Sequence, residues 1–200
     1  MKMHRQVTMR CMALMLLGLI ATQTELGART LIGDLGQIEH GGFGGPAVRF
    51  TEIGGDFGVL SGGRGGWIIN HRFVLGGGGY GLANPGKVTA PDETGDPVSG
   101  KLDMGYGGGI IEYVLASDAL VHASVEVLVG AGGLTTEKHA ASDAFFVLEP
   151  GANVMLNVTQ FFRLGVGVSY RYIQGADFGG LEDNDLKGAS WGFIGKFGAF

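Results

Sequence analysis

The chain holds a single cysteine, Cys11, close to its N-terminus. Disulfides and cysteine-based metal sites are therefore excluded from everything that follows it. Proline is scarce, at 5 residues, and no G-x-y period runs through the chain. Collagen-like and Pro-rich disordered readings fail on that ground. After the N-terminal segment no apolar run approaches the roughly eighteen residues of a membrane-spanning helix. Charged residues make up only 16%, with a formal net charge of −5. Nucleic-acid binding wants a concentrated basic patch, and none is present. What the chain does have is glycine, 40 in 200 residues. With little proline beside it, that glycine is expected inside regular structure.

The first 28 residues read as an address. Lys2, Arg5 and Arg10 precede an apolar run from Cys11 to Ala21, and a more polar, small-residue stretch follows to Ala28. This is the three-part layout of a secretory signal peptide, with cleavage after Ala21 or Ala28. Cys11 sits at the start of the apolar core, away from any cleavage point, which disfavours lipid anchoring. A short N-terminal segment, 29–42, would then lead into one domain, 43–200.

From Phe43 onward, strand-length runs alternate with turn signals. Strands are expected near 45–53, 56–69, 72–84, 101–115, 120–133, 144–158, 162–174 and 187–200. Asn70-His71, Ser117-Asp118 and Thr159-Gln160-Phe161 make tight connections. Residues 85–100, 135–143 and 175–186 make longer, polar ones, and the turn near Gly54-Gly55-Asp56 is short. Most runs meet the roughly 9–11 residues of a tilted transmembrane strand.

The period-2 pattern carries more weight. Phe162, Leu164, Val166, Val168, Tyr170 and Tyr172 share one face, opposite Arg163, Gly165, Gly167, Ser169 and Arg171. Val121 to Ala131 in odd steps oppose His122, Ser124 and Glu126; Trp191, Phe193 and Phe197 oppose Ser190, Gly192, Ile194 and Lys196. A soluble barrel buries its apolar face, whereas a membrane barrel turns it to lipid. The second face here is glycine and serine with isolated charges, which suits the crowded inside of a narrow barrel. The fold expected is all-β, an eight-stranded antiparallel up-and-down transmembrane β-barrel. Trp67, Phe73, Tyr113, Phe161, Phe162, Phe197 and Phe200 gather near tight turns or the C-terminus as one interfacial girdle, and Trp191 is counted among the interfacial aromatics.

On this pattern, residues 43–200 resemble the small eight-stranded bacterial outer-membrane proteins of the OmpA-transmembrane-domain, OmpX and OmpW type. The end, Gly195 to Phe200, resembles their C-terminal assembly signal, carried here by Phe197 and Phe200. The resemblance implies residence in the bacterial outer membrane. It also implies contact with outer-membrane lipid and lipopolysaccharide, recognition by the assembly machinery, and a monomer. Phe200 has the opposite parity to Trp191, Phe193 and Phe197. Either the last strand ends before it or a bulge shifts the register.

Parity places Arg49, Arg64, Glu126, Glu149, Arg163, Arg171 and Lys196 in the lumen, with Asp103 or Glu112 as further counter-charge. Buried charges must be paired. Glu112 shares parity with Leu102, Met104, Tyr106 and Ile110, so a bulge at Gly107–Gly109 is expected to turn it inward and Ile111, Tyr113 and Leu115 outward. His122, Ser124 and Glu126 hint at a nucleophile, base and orienter. Yet alternate residues on a strand lie about 7 Å apart, too far for short side chains to bond directly. The acids Asp92, Glu93 and Asp96, and Glu182, Asp183 and Asp185, follow no EF-hand spacing. No metal, cofactor or catalytic residue is expected. The expected role is non-enzymatic: structural, surface-interaction or envelope maintenance. A narrow, porin-like channel or small apolar-molecule transporter is the first alternative, and a lipid-modifying enzyme the second.

Overall fold

A computed structural model describes residues 38–84, 87–91, 97–136, 139–178 and 181–200. The 1–28 reading, residues 29–37 and the acids Asp92, Glu93 and Asp96 lie outside them. The elements are β1 (His40–Ile53), β2 (Asp56–Ile69), β3 (Phe73–Leu82), β4 (Lys87–Pro91), β5 (Pro97–Leu115) and β6 (Val121–Thr136). They continue with β7 (His139–Asn157), β8 (Phe162–Gln174), β9 (Asp177–Phe178), β10 (Leu181–Glu182), α1 (Asp183–Leu186) and β11 (Gly188–Ala199). All pairings are antiparallel. The order β3-β2-β1-β11-β8-β7-β6-β5 closes on itself because β3 also pairs with β5. Eight strands therefore form a closed barrel without free edges. β4 pairs only with β5, and β9 with β10 makes a separate two-stranded ribbon.

The connections show why the ends differ. Gly54 (φ 61°) and Gly55 (φ 85°) join β1 to β2, and Asn70 (φ 50°) and His71 (φ 55°) lie between β2 and β3. Two central residues at positive φ make the type I′ hairpin, whose twist matches the flanking strands. At the end that holds Gly54 and Gly55, opposite Asn70 and His71, the expected long loops are partly structured. β5 begins at Pro97, and β6 and β7 run on to Thr136 and from His139, so most of 135–143 is strand. Residues 175–186 fold into β9, β10 and the single turn of α1.

Side chains sort by parity. Val166, Val168 and Tyr170 face outward, 49%, 61% and 41% exposed, while Arg171 is fully buried. Gly192 shows one job of the inward glycines: a Cβ there would stand 2.0 Å from the Val48 carbonyl oxygen of the adjacent strand. The wall curves too tightly for any side chain at that point.

Three expectations are corrected. Pairing of β5 with β3 and β6 runs unbroken through Gly107–Gly109, so there is no bulge. Glu112 nonetheless points inward, because its whole parity does: Leu102, Met104, Tyr106 and Ile110 are buried with it, and Ile111 and Leu115 face outward. The interior is thus apolar over part of its height, and the apolar face of β5 near its start is the inner one. Phe200 follows β11 without a register shift, and its ring turns inward to stack on Phe43 at 6.4 Å. It leaves the outer girdle and joins Phe43, Ile68, Val74 and Val114 as the apolar floor of the tight-turn end. Finally, outward aromatics form a second group toward the loop end, including Phe57, Phe146 and Tyr170, each at least 41% exposed.

Candidate functional site

The lumen's centre is a chain of ion pairs. Lys196 Nζ donates to Glu112 Oε1 and Oε2 at 2.6 and 2.7 Å. Glu112 also accepts from Arg64 Nη2 at 3.2 Å. Arg64 grips Glu126 with both terminal nitrogens, at 2.9 and 2.5 Å. Arg49 reaches Glu126 at 3.4 Å and pairs closely with Glu149. Neutral donors complete the acceptors: Tyr106 Oη to Glu149 at 2.8 Å, Ser169 Oγ to Glu149 at 2.6 Å, and Asn153 Nδ2 to Glu126 at 2.9 Å. The Arg49 guanidinium also lies 4.2 Å over the Tyr80 ring.

The charges are segregated by wall. Lys196, Arg49 and Arg64 stand on the neighbouring strands β11, β1 and β2; Glu112, Glu126 and Glu149 stand on β5, β6 and β7. Three cations therefore face three carboxylates across the lumen, and each pair ties strands that are not hydrogen-bonded neighbours. The balance is complete without Asp103, which faces outward and is exposed. All six charged side chains are buried, and the low local dielectric makes mutual pairing the condition for their ionised state.

Two further cations flank this network. Arg163 is half-buried at the tight-turn end, its guanidinium 4.0 Å over the Phe200 ring. Arg171 lies at the loop end, fully buried, with no carboxylate in contact among the described residues. Its Nε donates to the Leu186 carbonyl at 2.8 Å, at the end of α1, and its Nη2 lies 3.4 Å from the Glu52 carbonyl. Gly54 N donates to the Asp185 carbonyl at 2.8 Å, a second fastening of the same segment. Leu186 is fully buried, so residues 181–187 form a strap across the mouth.

The residues with catalytic types do not assemble. His122 and Ser124 are buried in the lumen, but Ser124 Oγ meets Asn153 Nδ2 at 3.3 Å, and Glu126 is held by two arginines. The acids of the strap serve nearby backbone: Asp183 accepts from Ala176 N, before the strap, and Asp185 from Glu182 N within it, both at 2.8 Å. Among the described residues no group of three or more His, Cys, Asp or Glu side chains could hold a metal ion. Glu112, expected from sequence as a candidate counter-charge turned inward, is a full member of the network. Tyr106, Asn153 and Ser169 complete it and were not singled out from sequence; the last two carried the right parity, and Tyr106 was hidden by apolar neighbours on its face.

No family model and no curated protein matches the chain. Among solved structures, it is similar to Neisserial surface protein A (NspA), with a TM-score of 0.59 at 11% identity over 80% of this chain and 98% of that one. The N-terminal β-barrel domain of Pseudomonas aeruginosa OprF gives a TM-score of 0.49 at 14% identity over 81% and 99%. The attachment invasion locus protein Ail of Yersinia pestis gives 0.48 at 13% identity over 80% and 97%. At such identities the likeness to NspA speaks to architecture alone. Together with the closed ring of eight strands, it establishes that this chain has the fold of the small eight-stranded outer-membrane β-barrel proteins.

Proposed function

We propose that the chain is a non-enzymatic barrel of the bacterial outer membrane with a plugged lumen, serving a structural or surface-interaction role. One observation carries the membrane reading: the outward face is apolar over a height that fits a bilayer. Ten residues separate Phe57 from Trp67 on β2, and ten separate Phe162 from Tyr172 on β8. At about 3.3 Å per residue and a tilt of about 40°, each interval rises about 25 Å, the height of the apolar band on such barrels. Leu75, Ile111, Val125, Val129, Val154 and Leu164 are exposed on the outer wall. In water such a surface would be an aggregation liability; against lipid chains it is matched.

The plugged lumen follows from what fills it. An eight-stranded barrel leaves an interior just wide enough for side chains. The ion-pair chain crosses it, with apolar clusters toward both ends. Outer-membrane lipid and lipopolysaccharide are the partners proposed for the outer wall, and the assembly machinery for the C-terminal strand that carries Phe197 and Phe200. The test is electrical. The purified chain in a planar bilayer is expected to give no reproducible unitary conductance; steps of constant size would overturn the plugged barrel in favour of a channel.

A further inference from the structure

The in–out pattern reverses along single strands. On β1, Val48 faces out and Arg49 in, but a few residues on, Glu52 faces out and Ile53 in. On β5, Ile111 faces out and Glu112 in near the tight-turn end; toward the loop end, Asp103 faces out, between Leu102 and Met104, which are buried. On β6, Val125 out with Glu126 in gives way to Thr135 out with Leu134 in. On β8, Val166 and Val168 out with Arg171 in gives way to Gln174 out with Ile173 in. The strand period stays at two throughout, so the reversal is one of chemistry alone. Apolar-out with charged-in is the sign of lipid outside; polar-out with apolar-in is the sign of water outside.

We propose that the lipid boundary on the loop side crosses the barrel near Glu52, Asp103, Thr135 and Gln174. Beyond it β5, β6 and β7 continue as a water-facing sheet, past the last β3–β5 pair, Gly81↔Gly105, and the last β7–β8 pair, Phe146↔Gln174, over an apolar lining of the mouth. Ile53, Leu102, Leu134, Ile173 and Ala176 form that lining, at or past the boundary positions, and all are buried in one cluster. Leu186 of the strap belongs to the same cluster and closes it from above. Strand length agrees: β5 and β7 have 19 residues each. At about 3.3 Å per residue and a tilt of about 40° they rise about 48 Å, well beyond an apolar band of about 25 Å. The protruding part is thus an extension of the sheet by β5, β6 and β7, with β4 along the edge of β5 and its outer surface presented to the outside.

This rests on the membrane reading above, and the experiment separates the two. In the full chain with Cys11→Ser, single cysteines are introduced by Asp103→Cys, Thr135→Cys, Gln174→Cys, Val125→Cys and Val166→Cys. Each variant is reconstituted in phosphatidylcholine nanodiscs, whose two faces are both open to solvent, and treated with a charged maleimide. The first three are expected to react as fast as in the urea-unfolded chain. The two valine positions are expected to react at least about tenfold more slowly, because hydrocarbon disfavours the thiolate. If all five react slowly, and a bimane attached at the first three is quenched by nitroxide-labelled lipid chains, the boundary is wrong and the membrane reading stands. If all five react fast, the membrane reading itself fails.

Discussion

At the scale of single residues, Glu112 is the most consequential side chain in the lumen. Among the described residues it is the only carboxylate that touches Lys196, and it shares Arg64 with Glu126. Glu112→Leu would leave a buried ammonium without a counter-charge, and breaking such a pair costs about 3–5 kcal/mol. The urea midpoint of the chain in lipid vesicles should fall accordingly. Combining it with Lys196→Met should recover most of the loss, since a buried pair replaced by apolar groups of similar volume is close to neutral. Asp103→Asn, on the exposed outer face, should change stability by less than about 0.5 kcal/mol. Equal losses from Glu112→Leu and Asp103→Asn would mean that the lumen is wet and the network screened. Sequence parity placed Arg49, Arg64 and Lys196 inside without difficulty, because their strand neighbours are small or outward and apolar. It misjudged the reason for Glu112, since Leu102, Met104, Tyr106 and Ile110 share its face and imitate a lipid-facing row.

At the scale of elements, the strap depends on one guanidinium. Arg171 is buried without a carboxylate among the described residues and bonds to backbone oxygens, of which the Leu186 carbonyl is nearest. Arg171→Met keeps the apolar stem and removes that bond, while Gly54 N to Asp185 O, Ala176 N to Asp183 and the β9–β10 pairing stay in place. Cleavage by an Asp-directed protease at Asp183 or Asp185 should speed up by about tenfold for a loss of roughly 1.4 kcal/mol in local closure, with the barrel itself intact. An unchanged cleavage rate would show that burial of Leu186 and these remaining bonds hold the strap. None of this was legible in the sequence, where 175–186 reads as a polar loop. Its Gly, Asp and Glu residues suggest solvent, and only the contact of Leu186 with the core reveals a closed element. The strands themselves were legible, because a period of two with one apolar face survives any uncertainty over turns. Their ends were less so: β5, β6 and β7 continue past the expected boundaries, and on β5 and β6 the outward residues turn polar, at Asp103 and Thr135, as the strands leave the proposed lipid zone.

At the scale of the whole molecule, the apolar wall has to sit at one depth in a bilayer, and the two tryptophans can report it. Trp67 lies on β2 two residues from its tight-turn end, and Trp191 lies on β11 six residues from Phe197. At about 3.3 Å per residue and a tilt of about 40°, Trp191 stands about 15 Å above the tight-turn girdle. It packs at a tilt against Phe50 at 4.6 Å and meets Phe193 edge-on at 6.1 Å, on the outer wall. Trp67 stacks on His40 at 5.3 Å, a polar neighbour suited to the headgroup level. In single-tryptophan variants, made by Trp67→Phe and Trp191→Phe, lipids brominated deep in the acyl chain should quench Trp191 more than Trp67. Lipids brominated near the headgroup should reverse the order. Equal quenching at every depth would mean that the barrel does not hold a fixed height in the bilayer, and the apolar wall would then need another explanation, such as burial against further copies of the chain.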